Sequence, residues 1–460
     1  MQDYSRWMRR PGLLARLASV ASVALLVPAI AVANGRKPQT NGVFFPPGES
    51  HTSLVRTTFG LLVSRDDGCS FHWVCERAIG YGGEFDPKYA IATDGTIFAT
   101  TFTGLRVSRD GGCSWATATA EAATGDPGRI ADIWIDAIDI GPTGDVWVVT
   151  AESARANNVY RSTDNGLTFE HRNNNSPTIW WKSVKVARGN QQRVYVSGYQ
   201  VAGALADGGQ SQPTAHLRRS NDGGDSWTEL ELFGTRRDPP TMRFGATPIV
   251  LVSAVDPRQP DTLLLTSLGA NGAGDRLYRS VDAGYSFDEV LATTTPIRDV
   301  VFAADGGVLV ATLGGSFRSS DNAVSWKPLA GAPELNCIGQ RYDGELVGCG
   351  ANWEPDFKAV ALSPDSATWS KVFRFVELAG PLQCAAGTTS QLACDPLWPA
   401  LQQQFAATGP GVCGVVPDDS TPPPPKPGGG CCDAGDGRPA LAPAGLLIVV
   451  LGRRRRRRRR

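Results

Sequence analysis

The residues whose types and spacing are richest in chemistry sit in one octapeptide, "SRDGGCSW", from Ser108 to Trp115. It puts a carboxylate, two hydroxyls, two glycines and a thiol into eight positions. Such a loop has donors for a metal or a catalytic acid. It also has what a tight turn uses, because Asp and Ser side chains bond nearby backbone amides and glycine accepts positive φ. A calcium loop would need more oxygen ligands at fixed spacing and a distant glutamate, which this stretch lacks.

Repetition decides between the two. The pattern Ser-x-Asp-x-Gly-x-Ser/Thr-aromatic runs through Ser64, Asp66, Gly68 and Phe71; Ser108, Asp110, Gly112 and Trp115; and Ser162, Asp164, Gly166 and Phe169. It returns at Ser220, Asp222, Gly224 and Trp227, and at Ser280, Asp282, Gly284 and Phe287. A sixth copy (Ser319, Asp321, Trp326) has Ala323 in the glycine position, and a seventh (Ser363, Asp365, Trp369) is one residue short. Copies about 40–60 residues apart describe a repeat architecture, not seven active sites. Each is therefore expected to be a structural turn.

The elements around the copies fit that reading. Apolar runs such as "NNVYRS" and "DRLYRS" lead in, and "SWTELEL" and "SFDEVLA" lead out. Between copies lie further strand-like runs split by turn signals, about four strands per unit, and four-stranded sheets repeated radially make a β-propeller. The octapeptide resembles the Asp box, or bacterial neuraminidase repeat, of sialidases, sortilin-like receptors, xyloglucanases and a plant photosystem assembly factor. The resemblance spans roughly residues 42 to 375. It implies an all-β fold with a single β-propeller of seven four-stranded blades, six being the alternative because the last two copies lack the glycine. It also implies that each box lies at the blade periphery between the third and fourth strands, away from a central ligand face. The ring would be closed by "GVFF" near Val43 or by the chain after the repeats.

No catalytic, cofactor-binding or metal-binding residue is assigned. A sialidase would need three arginines, a tyrosine–glutamate pair, an acid and an Arg-Ile-Pro tripeptide, and the tripeptide is absent. Arg161, Arg219, Arg279 and Arg318, like Tyr160 and Tyr278, recur in register with the repeat, which marks them as scaffold. A xyloglucanase-like enzyme resembles two facing propellers, and this chain has length for one. His51, His72, His171 and His216 are isolated, and no HExxH, G-x-S-x-G or P-loop is present. Ligand-face candidates are Trp180 and Trp181, which could stack on a sugar, and Arg236 and Arg237 in a long connecting segment. The tryptophan pair fits better as the start of an inner strand with one face buried. Convergent carboxylates and arginines over the channel would mark an enzyme; an apolar or uncommitted channel would mark a binder.

The ends of the chain carry targeting signals. Residues 1–33 read as a signal peptide: arginines, an apolar run, then Ala31-Val32-Ala33, with cleavage after Ala33. The propeller is expected over 34–375, a cysteine-containing extension over 376–415, a Pro/Gly linker over 416–430 and a sorting segment over 431–460. That last segment holds Cys431 and Cys432, an apolar run and Arg453–Arg460. It resembles the myxobacterial C-terminal sorting signal (MYXO-CTERM), which implies processing near one of the two cysteines and display on the outer surface; a tail anchor facing the periplasm is the alternative. Export gives the other eight cysteines a disulfide role. Cys337 and Cys349 flank an Asp343-Gly344 hairpin signal and form the local candidate pair, and Cys384, Cys394 and Cys413 are placed to staple the extension.

The formal charge is zero, but the two ends hold 13 arginines against three aspartates, leaving the body at about −10. That balance argues against a nucleic-acid partner. The expected function is a monomeric, exported cell-surface module that recognises a glycan or an envelope protein without catalysis, touching the membrane through its C-terminal segment before processing. The alternatives are a surface glycoside hydrolase and an envelope assembly or stability factor.

Overall fold

In a computed structural model of the chain, the described residues are 36–201, 203, 213–232, 248–269, 274–329 and 331–411. Seven antiparallel sheets follow one another along the chain, each built from four consecutive strands. The first strand of each sheet is β1 (Thr40–Phe44), β5 (Tyr89–Ile91), β9 (Ile135–Ile140), β13 (Ile179–Val186), β17 (Val250–Val255), β21 (Ile297–Phe302) and β25 (Cys337–Gln340). These seven pack on one another in sequence, and β1 packs on β25, so the sheets are the blades of a closed seven-bladed propeller.

A blade is covered on both faces by its neighbours, so its second strand reads as an unbroken apolar run. Ile97–Thr101, Val146–Thr150, Leu263–Ser267 and Val308–Thr312 are buried at every position. The core is divided among the seams: one cluster joins Phe98 and Leu105 to Ile138 and Val148, another joins Trp147 to Trp181 and Val184. Two of the outermost strands, Glu170–His171 and Lys327–Pro328, are only two residues long and exposed, which suits an edge that must not recruit another chain.

The octapeptides connect third to fourth strands, and the same bonds recur in the first six. Ser108 Oγ donates to Asp110 Oδ1 at 2.9 Å and accepts the Gly112 amide at 2.7 Å, while Asp110 also accepts the Ser114 amide at 2.8 Å. In the fourth copy Asp222 Oδ1 takes Ser220 Oγ and the Ser226 amide, and Oδ2 takes Ser226 Oγ at 2.5 Å. Both carboxylate oxygens are thus engaged within the turn.

The glycine answers to two demands at once. At Gly166 φ is +77°, and a Cβ would lie 2.6 Å from Phe98 of the preceding blade. In the sixth copy Ala323 holds φ 62° and is fully buried, packed with Leu264 and Leu277, and it still donates its amide to Ser319 Oγ at 2.9 Å. In the shortened seventh copy Asp365 accepts the amides of Ala367 and Thr368 at 2.9 and 2.7 Å, so the last blade forms without the glycine. Of the arginines in register, Arg219 donates to the Ala283 carbonyl at 2.7 Å and Arg318 to Ser366 Oγ at 2.8 Å, each tying its blade to the next.

Each blade keeps its own four strands, and closure adds one short strand from the C-terminal side to the first blade. "GVF" belongs to the inner strand of the first blade, and the chain after the last blade adds a fifth strand, β29 (Gly380–Pro381), parallel to His72–Val74. Thr40 Oγ1 donates to the Ala359 carbonyl at 2.7 Å, and the rings of Phe71 and Phe373 meet at 4.7 Å across the joint. Two short helices, Thr389–Cys394 and Trp398–Phe405, then cover the first and second blades. Cys75–Cys394 and Cys113–Cys384 fix them there, Cys337–Cys349 bridges directly opposed positions of the seventh blade, and Cys69 is disulfide-bonded as well. Such bonds persist in oxidising compartments outside the cytoplasm. Among the described residues no helix is long and apolar enough to cross a membrane.

Replacing Cys75 and Cys394 together by alanine removes a link between residues 319 apart. The variant is expected to lose about 2–5 kcal/mol of unfolding free energy in denaturant titration, and reductant, which opens the other disulfides as well, should bring wild type and variant to a common, lower stability. The turns predict an acid dependence. The Ser226 hydroxyl, then the Ser226 amide, then Ser220 draw the Asp222 carboxyl from 3.8 down to about 2. A lowered carboxyl stabilises the fold above its unfolded value and loses that contribution as pH falls through its folded one. Melting temperature is expected to separate wild type from Asp222→Asn at pH 6, with the gap closing between about pH 4 and pH 2.

Candidate functional site

Antiparallel pairing sends the first-to-second and third-to-fourth turns to one rim, as the bond from Asn165 Nδ2 to Asp94 Oδ2 at 2.6 Å shows. The blade-to-blade connections and second-to-third turns emerge at the other, here called the upper rim. The octapeptides are therefore on the rim remote from the site described next.

The channel is bounded by the inner strands. A cavity of about 370 Å³ and an adjoining one of about 210 Å³ share Lys88, Lys185, Arg298 and Asp299 on their walls. Arg56, Lys182 and Arg188 line one or the other, so six cations face this space. Asp136 accepts from Lys182 Nζ at 2.6 Å and from Lys88 Nζ at 3.4 Å; Asp139 accepts the Val186 amide at 2.8 Å and Arg188 at 3.2 Å. Asp299 accepts the amides of Val300 and Ile338 at 3.0 and 3.3 Å, and burial pushes its carboxyl up. Burial also pushes Lys88 and Arg56 down. The side chains of Lys185 and Arg298 make no hydrogen bond and no contact ion pair among the described residues.

A row of aromatic rings runs along the upper rim over three blades. Phe85 meets Phe102 at 4.4 Å, Phe102 meets Trp134 at 4.9 Å, Trp134 meets Trp180 at 5.9 Å, and Trp180 meets Tyr199 at 6.0 Å. Phe102 is half exposed and the other four are partly so. Lys182 Nζ stands 4.6 Å from the Trp134 ring centroid, which joins the row to the Asp136 pair at the channel mouth. Rings presented this way can stack on apolar faces of a ligand, and the adjoining charges can orient its polar groups.

The tryptophan pair divides its roles. Trp181 is fully buried in the seam with the third blade, as an inner-strand residue should be, and Trp180 belongs to the row. Arg236 and Arg237 lie outside the described residues, as do Ala33, Cys431 and Cys432. Among the described residues no three His, Cys, Asp or Glu side chains group as a metal site; His51 bonds Asp67 and His216 bonds Glu229. Sequence reasoning missed the channel charges and most of the row. The one available signal was an aromatic at or just before the inner strand in three successive blades: Phe85, Trp134 and Trp180.

The chain matches no protein-family profile and no curated protein. Among solved structures it is similar to an ancestral GH74 enzyme, with 14% identity and a TM-score of 0.50 over 74% of this chain and 47% of that one. A GH74 enzyme of Niastella koreensis aligns at 14% identity and TM-score 0.40, over 72% and 65% of the two chains. PorZ, a surface component of the Porphyromonas gingivalis type-IX secretion system, aligns at 13% and 0.47, over 73% and 47%. The chain thus spans about half to two thirds of the length of these proteins, and the likeness is one of propeller fold.

Proposed function

We propose that this protein is an exported, surface-displayed propeller that recognises a glycan at its upper rim without cleaving it. The observation that carries the reading is the continuous row Phe85–Phe102–Trp134–Trp180–Tyr199, partly open to solvent on the rim where propeller connections vary. Sugar rings present C–H faces that stack on such rings, and a row of them fits an extended saccharide better than a single residue. Export and display rest on the arginine-led apolar N-terminal segment and on the cysteine, apolar and arginine blocks of residues 431–460, and the octapeptides are read as Asp boxes. Intact mass of the protein from its native envelope tests the display: a species from Asn34 to Cys431 or Cys432 supports it, and one retaining the eight terminal arginines sinks it.

A glycoside hydrolase is the second reading, favoured by one observation. Burial pushes the Asp299 carboxyl up, as a general acid requires, on a channel whose cations also hold Asp136 and Asp139. Against it, each of the latter two is already tied to basic side chains.

Titration of soluble polysaccharides into the protein separates these readings. Trp134→Ala and Trp180→Ala are each expected to weaken binding about tenfold, the worth of ~1.4 kcal/mol per stacked ring. Affinity indifferent to both rings would defeat the glycan reading. Reducing ends released by the wild type and abolished by Asp299→Asn would establish the hydrolase instead.

A further inference from the structure

The channel carries more positive charge than its own carboxylates cancel, inside a protein whose body is about −10 overall. Asp136 is spent on Lys182 and Lys88, and Asp139 on Arg188. That leaves Asp299 as the remaining carboxyl on the wall, and it is turned to backbone amides while burial disfavours its charge. Lys185 and Arg298 stand beside it with no side-chain hydrogen bond or contact ion pair among the described residues; Lys185 is felt only through space by Asp299 and Arg298 by Asp275. Charges gathered on the wall of a cavity are screened less than surface charges, so the imbalance favours an incoming anion.

We propose that the channel is an anion site in which Lys185 and Arg298 receive a carboxylate, sulfate or phosphate group of the ligand. The cavity, about 370 Å³, has room for such a group together with part of the molecule that bears it. Lys182, between the Trp134 ring and Asp136, connects the site to the aromatic row. With that row as the ligand face the class is an acidic saccharide, and this extension rests on the glycan reading above. The anion site itself does not.

Calorimetric titration of the full chain with sodium sulfate, dextran sulfate and uncharged dextran tests the proposal, in wild type and in a Lys185→Met/Arg298→Gln double variant. Arg298 is exposed, so the single Arg298→Gln variant keeps the test open should the double variant fold poorly. Wild type is expected to bind sulfate and dextran sulfate, less tightly as salt rises from about 20 to about 300 mM. The double variant, at unchanged melting temperature in sulfate-free buffer, should bind at least about tenfold more weakly. Sulfate binding without the polymer would assign the site to a small free anion and still uphold it. No binding of either anion by wild type, or equal binding by the variants, overturns it. Loss of polysaccharide binding in Trp180→Ala with sulfate binding retained leaves both readings standing. Sulfate binding with polysaccharide affinity indifferent to Trp134 and Trp180 removes only the glycan reading.

Discussion

Everything in this molecule depends on how a ring of seven sheets closes. Each blade buries both faces against its neighbours, so a missing or loose seam would expose two apolar surfaces at once. Six seams join blades that are consecutive in the chain. The seventh must bring together residues more than 300 positions apart, and the only strand shared across it is the two-residue Gly380–Pro381 on the outer edge of the first blade. Thr40, Asn336 and Ala359 supply hydrogen bonds, Phe71 and Phe373 supply packing, and the extension carries the chain on to the first two blades. Two disulfides then hold it. They restrain the unfolded chain over very long loops, where such cross-links have the most entropy to remove.

The fold was legible in the sequence because a repeat states its constraint seven times. Each copy of Ser-x-Asp-x-Gly says that a hydroxyl and a carboxylate must close a turn and that a residue without a side chain must lie against the blade before it. The departures were legible too: Ala323 still fits its seam, and Asp365 still finds two amides, so the count of blades stays at seven. The Cys337–Cys349 pairing followed from a hairpin signal. The rings and charges at the other rim had no such redundancy. Lys88, Asp136, Lys185 and Arg298 come from four blades and lie far apart in sequence, and only the curvature of the ring brings them together. Trp180 and Trp181 show how local the ambiguity is: adjacent residues on one strand face opposite ways, one into a seam and one toward solvent.

The distribution of charge sharpens the difference between body and channel. A body whose charges sum to about −10 repels anionic molecules at long range, whereas the channel wall offers cations that its carboxylates do not fully answer. A ligand of mixed character, with faces to stack and an acidic group to place, would meet favourable contacts of both kinds at the upper rim. Selectivity of that kind comes from the approach as much as from the contact.

The two rims also differ in what they allow to change. Turns between first and second strands stay short, from five to eight residues, and the octapeptides are fixed by their seams. At the upper rim the connection from Gln200 to Thr214 and that from Leu230 to Val250 are much longer. Length has accumulated only where it does not disturb packing between blades. The molecule therefore behaves as a fixed wheel with an editable crown, and insertions grafted between Gln200 and Thr214 should alter what it binds while leaving its melting behaviour to the seams beneath.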